Sequence, residues 1–360
     1  MLETYLQKLS QNSILYHSTI FNTFLLEQQL STFSSCISSS DLAVYLVNGH
    51  KIALRLSPAC PSNIALELLA NHLGIPRVDI TSFNYYGFDL FMAECIKTDT
   101  RFDELLYLKK LCDFESPYLS YYSLSAELQR KMRIVLRKNV WSLNIELAID
   151  NSDVISTLLL MQAQYEADHD FFDMPFKMSS LEDQSQSSNF MKIARRQSFY
   201  GYMKFDWCVC NISKKFSKVQ PWFGEGRIIL LESPDSKQEF PVAKIRSWST
   251  TENSSYHEQP NSISGRFRFE LAFEFHHSVS SISYIRLYSN EVIMMSFILQ
   301  LMVEEFSTAL RNSKPTDTVK ITALSSQKSL TSSTSLSVQN DLKRNSFSEV
   351  FNCVIGDDEL

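Results

Sequence analysis

The chain has 360 residues and a formal net charge of −6, long enough for two or three domains with cores of their own. The acidic balance argues against a nucleic-acid binder, which carries a basic surplus. Seven cysteines with no CxxC pair read as thiols in a reducing compartment, and Cys208 and Cys210 share a strand face without two further zinc ligands.

Residues 1–31 show helical spacing twice, at Leu2, Tyr5, Leu6 and Leu9, and again at Phe21, Phe24 and Leu25 with Ser18 as N-cap. Two short helices with one apolar face each need a partner sheet. Ser31–Ser40 is a Ser-rich linker. Two alternating strands then flank Asn48-Gly49 within Leu42–Leu56, a strong hairpin signal because both residue types tolerate positive φ. Pro61 and Ser62 open a helix carrying Ile64, Leu66, Leu68, Leu69 and Leu73, stopped by Gly74 with Pro76 beyond. Strands are expected around Ser82–Cys95, Phe102–Tyr107 and Arg133–Leu136. Hairpin, helix and further strands form a ubiquitin-like layout.

Residues 139–197 read as helical. Asp153–Gln164 carries Val154, Ile155, Leu158, Leu159 and Met161, Asp170-Phe-Phe-Asp173 marks a packed turn, and after a polar break at Ser179–Ser188 the helix resumes over Phe190–Arg196. From Tyr200 the period returns to two, with strands expected over Tyr200–Cys210, Arg227–Glu232 and Pro241–Ser249. Gly224-x-Gly226 lacks the third glycine and the helix of a nucleotide loop and reads as a turn. A loop over 250–265 leads to strict alternation, with Phe267, Phe269, Leu271, Phe273 and Phe275 on one face, then a strand near Ile282–Leu287. His276 and His277 are adjacent, so they point to opposite faces and read as surface or loop residues.

Glu291–Phe306 is too long and apolar for a strand. On a helical wheel its polar stripe is Ser296, Gln300, Glu304 and Ser307. Met294, Ile298, Leu301 and Met302 lie farthest from the stripe and should meet the sheet. Val292, Leu299, Val303 and Phe306 lie at its edge and are candidates to line a groove. The strand Pro241–Thr250 places Lys244, Arg246 and Trp248 on one face, with Ala243 and Ile245 on the other. Trp248 is either a lid on the sandwich core or an exposed recognition aromatic. If exposed, the groove between this strand and Leu299 and Val303 takes an extended peptide as an added strand. Antiparallel strands closed by one C-terminal helix are the plan of a pleckstrin-homology-like or phosphotyrosine-binding-like sandwich.

No signal peptide opens the chain, and the longest nearly apolar run, Val292–Val303, is too short to span a bilayer. The expectation is a soluble intracellular protein whose membrane contacts are peripheral. There is no GxSxG, HExxH or P-loop, so no enzyme, metal or cofactor is expected. Residues 313–348, rich in Ser, Thr and Lys, read as disordered, and Phe347–Leu360 as an apolar-acidic docking peptide. Its final Asp-Asp-Glu-Leu is no retention signal without a secretory context.

This order of parts resembles a FERM module, and more sharply the sorting nexins that join a PX domain to an atypical FERM module, the 17 and 31 subgroup. The likeness is carried by Tyr200-Gly-Tyr-Met-Lys-Phe-Asp206, by Phe269-Glu-Leu-Ala-Phe-Glu-Phe275 with Ile293-Met-Met-Ser296 and Met302-Val-Glu-Glu305, and by Ile355-Gly-Asp-Asp-Glu-Leu360. Ile134-Val-Leu-Arg-Lys138 and Trp141 support it. The resemblance implies an α+β, three-lobed FERM-like module with a disordered C-terminal tail. Residues 1–35 correspond to the C-terminal helices of a truncated PX domain, 40–138 to a ubiquitin-like first lobe, and 139–199 to a helical second lobe. A PTB/PH-like third lobe follows at 200–312, then a disordered Ser-rich linker at 313–346 and an acidic-apolar docking tail at 347–360.

The resemblance further implies an endosomal cargo adaptor, cytoplasmic and peripheral on early and recycling endosomes. It implies binding of Asn-Pro-x-Tyr or Asn-x-x-Tyr motifs in receptor tails, at groove positions matched here by Trp248 and Val303. Arg246 and Leu299 are added from the strand and wheel arguments. The tail Ile355, Gly356, Asp357, Asp358, Glu359 and Leu360 matches the family's contact with the Retriever complex, with Asp-Asp-Glu in place of the usual Asp-Glu-Asp. Phosphatidylinositol 3-phosphate enters only with a full PX domain, whose strands and basic pocket this sequence lacks. The rival expectations are a FERM scaffold for small GTPases or cytoskeleton, and a phosphoinositide-binding module.

Overall fold

The computed structural model describes residues 18–31, 40–78, 86–97, 102–175, 184–212, 215–233, 236–253, 266–278 and 281–312. The expected helix at Leu2–Leu9, the Ser-rich linkers and the acidic tail lie outside the described residues. The chain divides into two compact units, whose boundary falls between Tyr202 and Met203.

In the first unit, helix α1 (Thr19–Ser31) starts where Ser18 Oγ accepts from the Phe21 N–H at 3.2 Å. Phe21 and Leu25 are buried. Strands β1 (Ser40–Leu46) and β2 (Lys51–Leu56) form the expected hairpin, with Gly49 at φ +84°. Helix α2 (Ser62–Leu73) ends at Gly74 in the left-handed region, φ 74°, a conformation that glycine adopts without a Cβ penalty. Its inward side is Ala65, Leu69 and Ala70, while Ile64 and Leu68 face outward.

Strands β3 (Phe88–Ile96), β4 (Glu104–Lys110) and β5 (Met132–Lys138) complete a sheet of order β2-β1-β5-β3-β4, with β1 and β5 parallel. Two short helices not expected from the sequence, α3 (Pro117–Tyr122) and α4 (Ala126–Lys131), connect β4 to β5 and start at the side-chain caps Ser116 and Ser125. Helices α5 (Leu143–Ile149), α6 (Asp153–Asp168) and α7 (Gln184–Ala194) follow. Helix α7 begins inside the stretch expected as a polar break. Ser185, Gln186, Ser188, Asn189 and Lys192 are exposed, while Phe190, Met191 and Ala194 are buried. The turn after α6 is packed as expected, with Asp170 at φ 57° and Phe172 buried.

Beneath this apolar core runs a buried ionic cluster. The Glu146 carboxylate accepts from Tyr200 Oη at 2.6 Å and Arg195 Nε at 2.9 Å, and is bonded to Lys138 Nζ. Arg195 Nη2 also reaches Asp150 at 2.7 Å. Next to it, Glu166 Oε1 accepts from Gln162 at 2.8 Å and Arg137 at 3.3 Å, and Arg137 stacks over Tyr107 and Trp141. The cluster joins the end of β5 to helices α5, α6 and α7, so it ties the strand layer to the helical layer. Burial alone would raise the Glu146 carboxyl, but Lys138, Tyr200 and Arg195 outweigh it and hold the pKa below the usual carboxylate range.

The second unit is a sheet of order β10-β9-β8-β7-β13-β12-β11, with a short strand β6 (Met203–Lys204) paired on β8. Its strands are β7 (Cys208–Ile212), β8 (Lys215–Gly224), β9 (Arg227–Ser233), β10 (Ser236–Pro241), β11 (Ile245–Glu252), β12 (Phe269–Ser278) and β13 (Ser281–Ser289). The single strand expected over Tyr200–Cys210 is two, β6 and β7. Between them the backbone turns aside, the Phe205 N–H bonding Pro221 O at 3.0 Å and the Asp206 N–H bonding Glu291 at 2.9 Å.

Strand β8 was not among the expected strands; it contains Pro221, a residue that disfavours a ladder position. Pro221 instead serves through its carbonyl, which needs no N–H. The expected strand Pro241–Ser249 is broken by a 3-10 turn, Val242–Lys244, that separates β10 from β11. Strand β12 keeps its alternation, with Leu271, Phe273 and Phe275 buried.

Candidate functional site

Helix α8 (Val292–Asn312) packs on β8, β11, β12, β13 and the 3-10 turn. By length and composition, Val292–Leu310 is apolar enough to cross a bilayer, and half of that window is buried in this unit. Met294, Ile298, Leu301 and Met302 are buried as the wheel requires. Val292 and Leu299 are buried too, both at 0% exposure. The expectation that they edge an open groove is therefore corrected: the helix is flanked by β8 and by β11–β12, and both flanks use its wide apolar arc. Val303 is half-buried and Phe306 exposed, and Ile293, Phe297, Gln300 and Glu304 are half-buried.

Strand β11 is the last strand of the sheet, and among the described residues it pairs only with β12. Its register shifts between Ile245 and Ser247, a β-bulge that adds one residue to the strand. The bulge resets the alternation. Ile245 and Trp248 point inward, whereas Arg246 is exposed and lies 3.9 Å from Glu274, which also accepts from Ser247 at 3.1 Å. Arg246 and Trp248 thus do not share a face as the plain period of two implied.

Of the two readings left open for Trp248, the structure has the lid. It is 2% exposed, and its Nε1–H donates to Ser296 Oγ of α8 at 3.0 Å. Ser296 belongs to the polar stripe of the wheel, and its buried partner explains a serine there. A buried indole needs an acceptor, so a tryptophan near the start of an edge strand and a serine in an apolar helix form a pair that sequence reasoning had the means to find.

The site that results is a strand edge beside a helix. Its accessible parts are the outer edge of β11, Arg246, and the helix margin carrying Val303. A strand at the end of a sheet can add an extended peptide through its backbone, and the neighbouring helix offers side-chain contacts. Trp248 and Leu299 support this edge from below. The buried thiols of Cys208 and Cys210 face inward, and burial pushes the Cys210 pKa up to about 12, which makes it inert at neutral pH. Among the described residues no group of three or more His, Cys, Asp or Glu side chains is placed to hold a metal. The predicted tail residues Ile355–Leu360 lie outside the described residues.

Two family models match the chain: the sorting nexin 17/27/31 FERM domain, F1 lobe, over residues 40–141, and the sorting nexin 17 FERM C-terminal domain over residues 201–307. Sorting nexin-17 of Danio rerio is 28% identical over 317 residues, covering 84% of this chain and 64% of that protein. Human sorting nexin-17 is 29% identical over 316 residues, covering 84% of this chain and 65% of that protein. Mouse sorting nexin-31 is 25% identical over 326 residues, covering 87% and 71%. The chain thus spans just under two thirds of the sorting nexin-17 relatives it matches.

Among solved structures, the human myosin 7b C-terminal MyTH4-FERM domain in complex with the harmonin-a PDZ3 domain aligns with a TM-score of 0.49 at 13% identity, covering 75% of this chain and 61% of that one. Matched by models at both the ubiquitin-like and the C-terminal lobe, the chain belongs to the sorting nexin 17/31 family and carries an α+β FERM-like module.

Proposed function

We propose that this chain is an endosomal sorting adaptor that acts by binding. A receptor tail carrying an Asn-Pro-x-Tyr or Asn-x-x-Tyr motif adds to the outer edge of β11 as one more strand, with its side chains against the Val303 margin of α8. In this reading the lobes are 40–138, 139–199 and 200–312, and the tail Gly356–Leu360 recruits the Retriever complex so that the receptor returns to the surface. The observation that carries the proposal is the placement of β11: it ends the sheet and lies alongside the helix. Family membership supplies the class of ligand, since a strand edge alone accepts many sequences.

The test is titration of a labelled Asn-Pro-x-Tyr peptide onto the protein and its Val303→Asp variant. Val303 is half-buried at the margin, so a carboxylate there spoils an apolar contact without hollowing the core. The expected loss is about tenfold or more, 1.4 kcal/mol per factor of ten, at an unchanged unfolding midpoint. Equal affinity of the two proteins would sink the edge assignment. Deleting Leu360 is expected to abolish capture of the Retriever complex while peptide affinity stays constant; capture that survives the deletion removes the tail from the proposal.

A further inference from the structure

Helix α7 runs out into a segment that reads Arg195-Arg196-Gln197-Ser198-Phe199. It folds as two successive turns: the Gln197 N–H bonds Ala194 O at 2.9 Å, and the Tyr200 N–H bonds Gln197 O at 3.2 Å. Ser198 is exposed in the second turn and forms no hydrogen bond among the described residues. Arg196 is exposed as well and pairs with no carboxylate among the described residues. Phe199 is half-buried, with its ring edge-on to Tyr202 at 5.9 Å. Arg195 has the opposite surroundings, with Nε on Glu146 at 2.9 Å and Nη2 on Asp150 at 2.7 Å. Its side chain is 16% exposed, against 5% for Lys138 and 3% for Arg137, so it is the cation of the cluster that can leave without opening the core.

A hydroxyl that follows arginines by two and three residues, with an apolar residue next, is the pattern that an arginine-directed protein kinase reads. Such an enzyme holds its substrate extended, with carboxylates for the guanidinium groups and an apolar seat for the residue after the hydroxyl. A surface turn held by few hydrogen bonds straightens at low cost. For Arg195 the enzyme's carboxylates have a rival inside the protein, Glu146 with Asp150. After transfer, the phosphate is a further claimant. It carries about two negative charges at neutral pH and draws a nearby guanidinium into charge-assisted hydrogen bonds.

We propose that Ser198 is a phosphorylation site for an arginine-directed kinase, and that its phosphate draws Arg195 away from Glu146 and Asp150. Ser198 Oγ attacks the γ-phosphorus of ATP. The new O–P bond forms as the bond to the β–γ bridging oxygen breaks, ADP leaves, and the hydroxyl proton passes to a carboxylate base of the kinase. Glu146 lies on α5 and Asp150 just after it, so the modification loosens the end of α7 from α5. The proposal is independent of the peptide edge at β11, which belongs to the other unit.

The test treats the full chain with ATP and the catalytic subunit of cyclic-AMP-dependent kinase as probe, and locates phosphate by mass spectrometry. Ser346 follows Lys343-Arg344 and matches part of the same pattern, so Ser198→Ala treated in parallel is the reference. The parent is expected to carry phosphate at Ser198. Arg196→Ala should acquire it about tenfold more slowly, through loss of one charged hydrogen-bonding group. Both substitutions are at exposed positions and should keep the parent's urea midpoint before treatment. Phosphorylation should lower the midpoint of the first unit in the parent and leave that of treated Ser198→Ala unchanged. In Asp150→Asn the shift should be smaller, because one contact of Arg195 is already gone. A folded parent that takes no phosphate at Ser198 overturns the site, and equal rates for Arg196→Ala overturn the class of kinase. A midpoint that stays or rises on phosphorylation of Ser198, or an equal shift in Asp150→Asn, overturns the competition for Arg195.

Discussion

Replacing Trp248 with alanine is expected to destabilise the second unit by about 3–5 kcal/mol, the range for emptying a buried aromatic site, and to abolish peptide binding as a consequence. Trp248 is 2% exposed between β11 and α8, so its removal leaves a cavity where strand and helix meet. It also takes from Ser296 Oγ the Nε1–H donor at 3.0 Å. Urea unfolding followed at a probe in this unit measures the first effect. Trp248→Phe separates packing from recognition: it keeps most of the ring, loses one buried hydrogen bond, and should cost only about 1–2 kcal/mol with peptide affinity retained. An alanine variant with the parent's midpoint but no peptide binding would return Trp248 to the role of a direct recognition residue. The contrast with Val303→Asp, which should lose peptide at full stability, makes the two positions diagnostic as a pair.

Glu146→Gln is expected to cost the first unit about 3–5 kcal/mol, because removing one partner of a buried ionic cluster leaves the others uncompensated. Glu146 meets Lys138, Arg195 and Tyr200 and is 1% exposed. Asp150 still holds Arg195 in the variant, so the main damage falls on Lys138. The sign of the pH dependence follows from the depressed pKa of Glu146. The unfolded chain takes up its proton near the ordinary value of 4.5, before the folded chain does. The contribution is therefore fully present above that value and is lost as pH falls below it. Parent and variant stabilities should converge in acid and separate toward neutrality. A constant gap across the range would show that Glu146 acts through packing alone.

Local chemistry was readable wherever the cause was local. Ser18, Asn48-Gly49, Gly74 and the packed turn at Asp170 were legible because capping and positive φ depend on a few adjacent residues. The alternation of β12 and the core positions of α8 were legible because a single periodicity held over a long run. Strand β8 was not, since proline penalises a strand in isolation and only its partners show that the missing N–H is not needed. Helices α3 and α4 were missed because six residues hold too little pattern to register.

At the candidate site the structure changes how the expected residues face. One bulged residue in β11 moved Arg246 to the outer face and turned Trp248 inward, and no periodicity predicts an inserted residue. Leu299 was assigned to a groove because the wheel shows how apolar an arc is, while the number of elements packed against it is a property of the folded unit.

By itself, then, the sequence determined the order of the two matched FERM lobes, the caps and turns, the core face of the last helix and the family. Each rests on short-range sterics or on patterns repeated along the chain. Only the tertiary structure decided which side Trp248 faces, that β11 ends its sheet beside α8, and that Lys138, Glu146, Arg195 and Tyr200 converge. Those are relations between residues far apart in the chain, and strand pairing and helix docking bring them together.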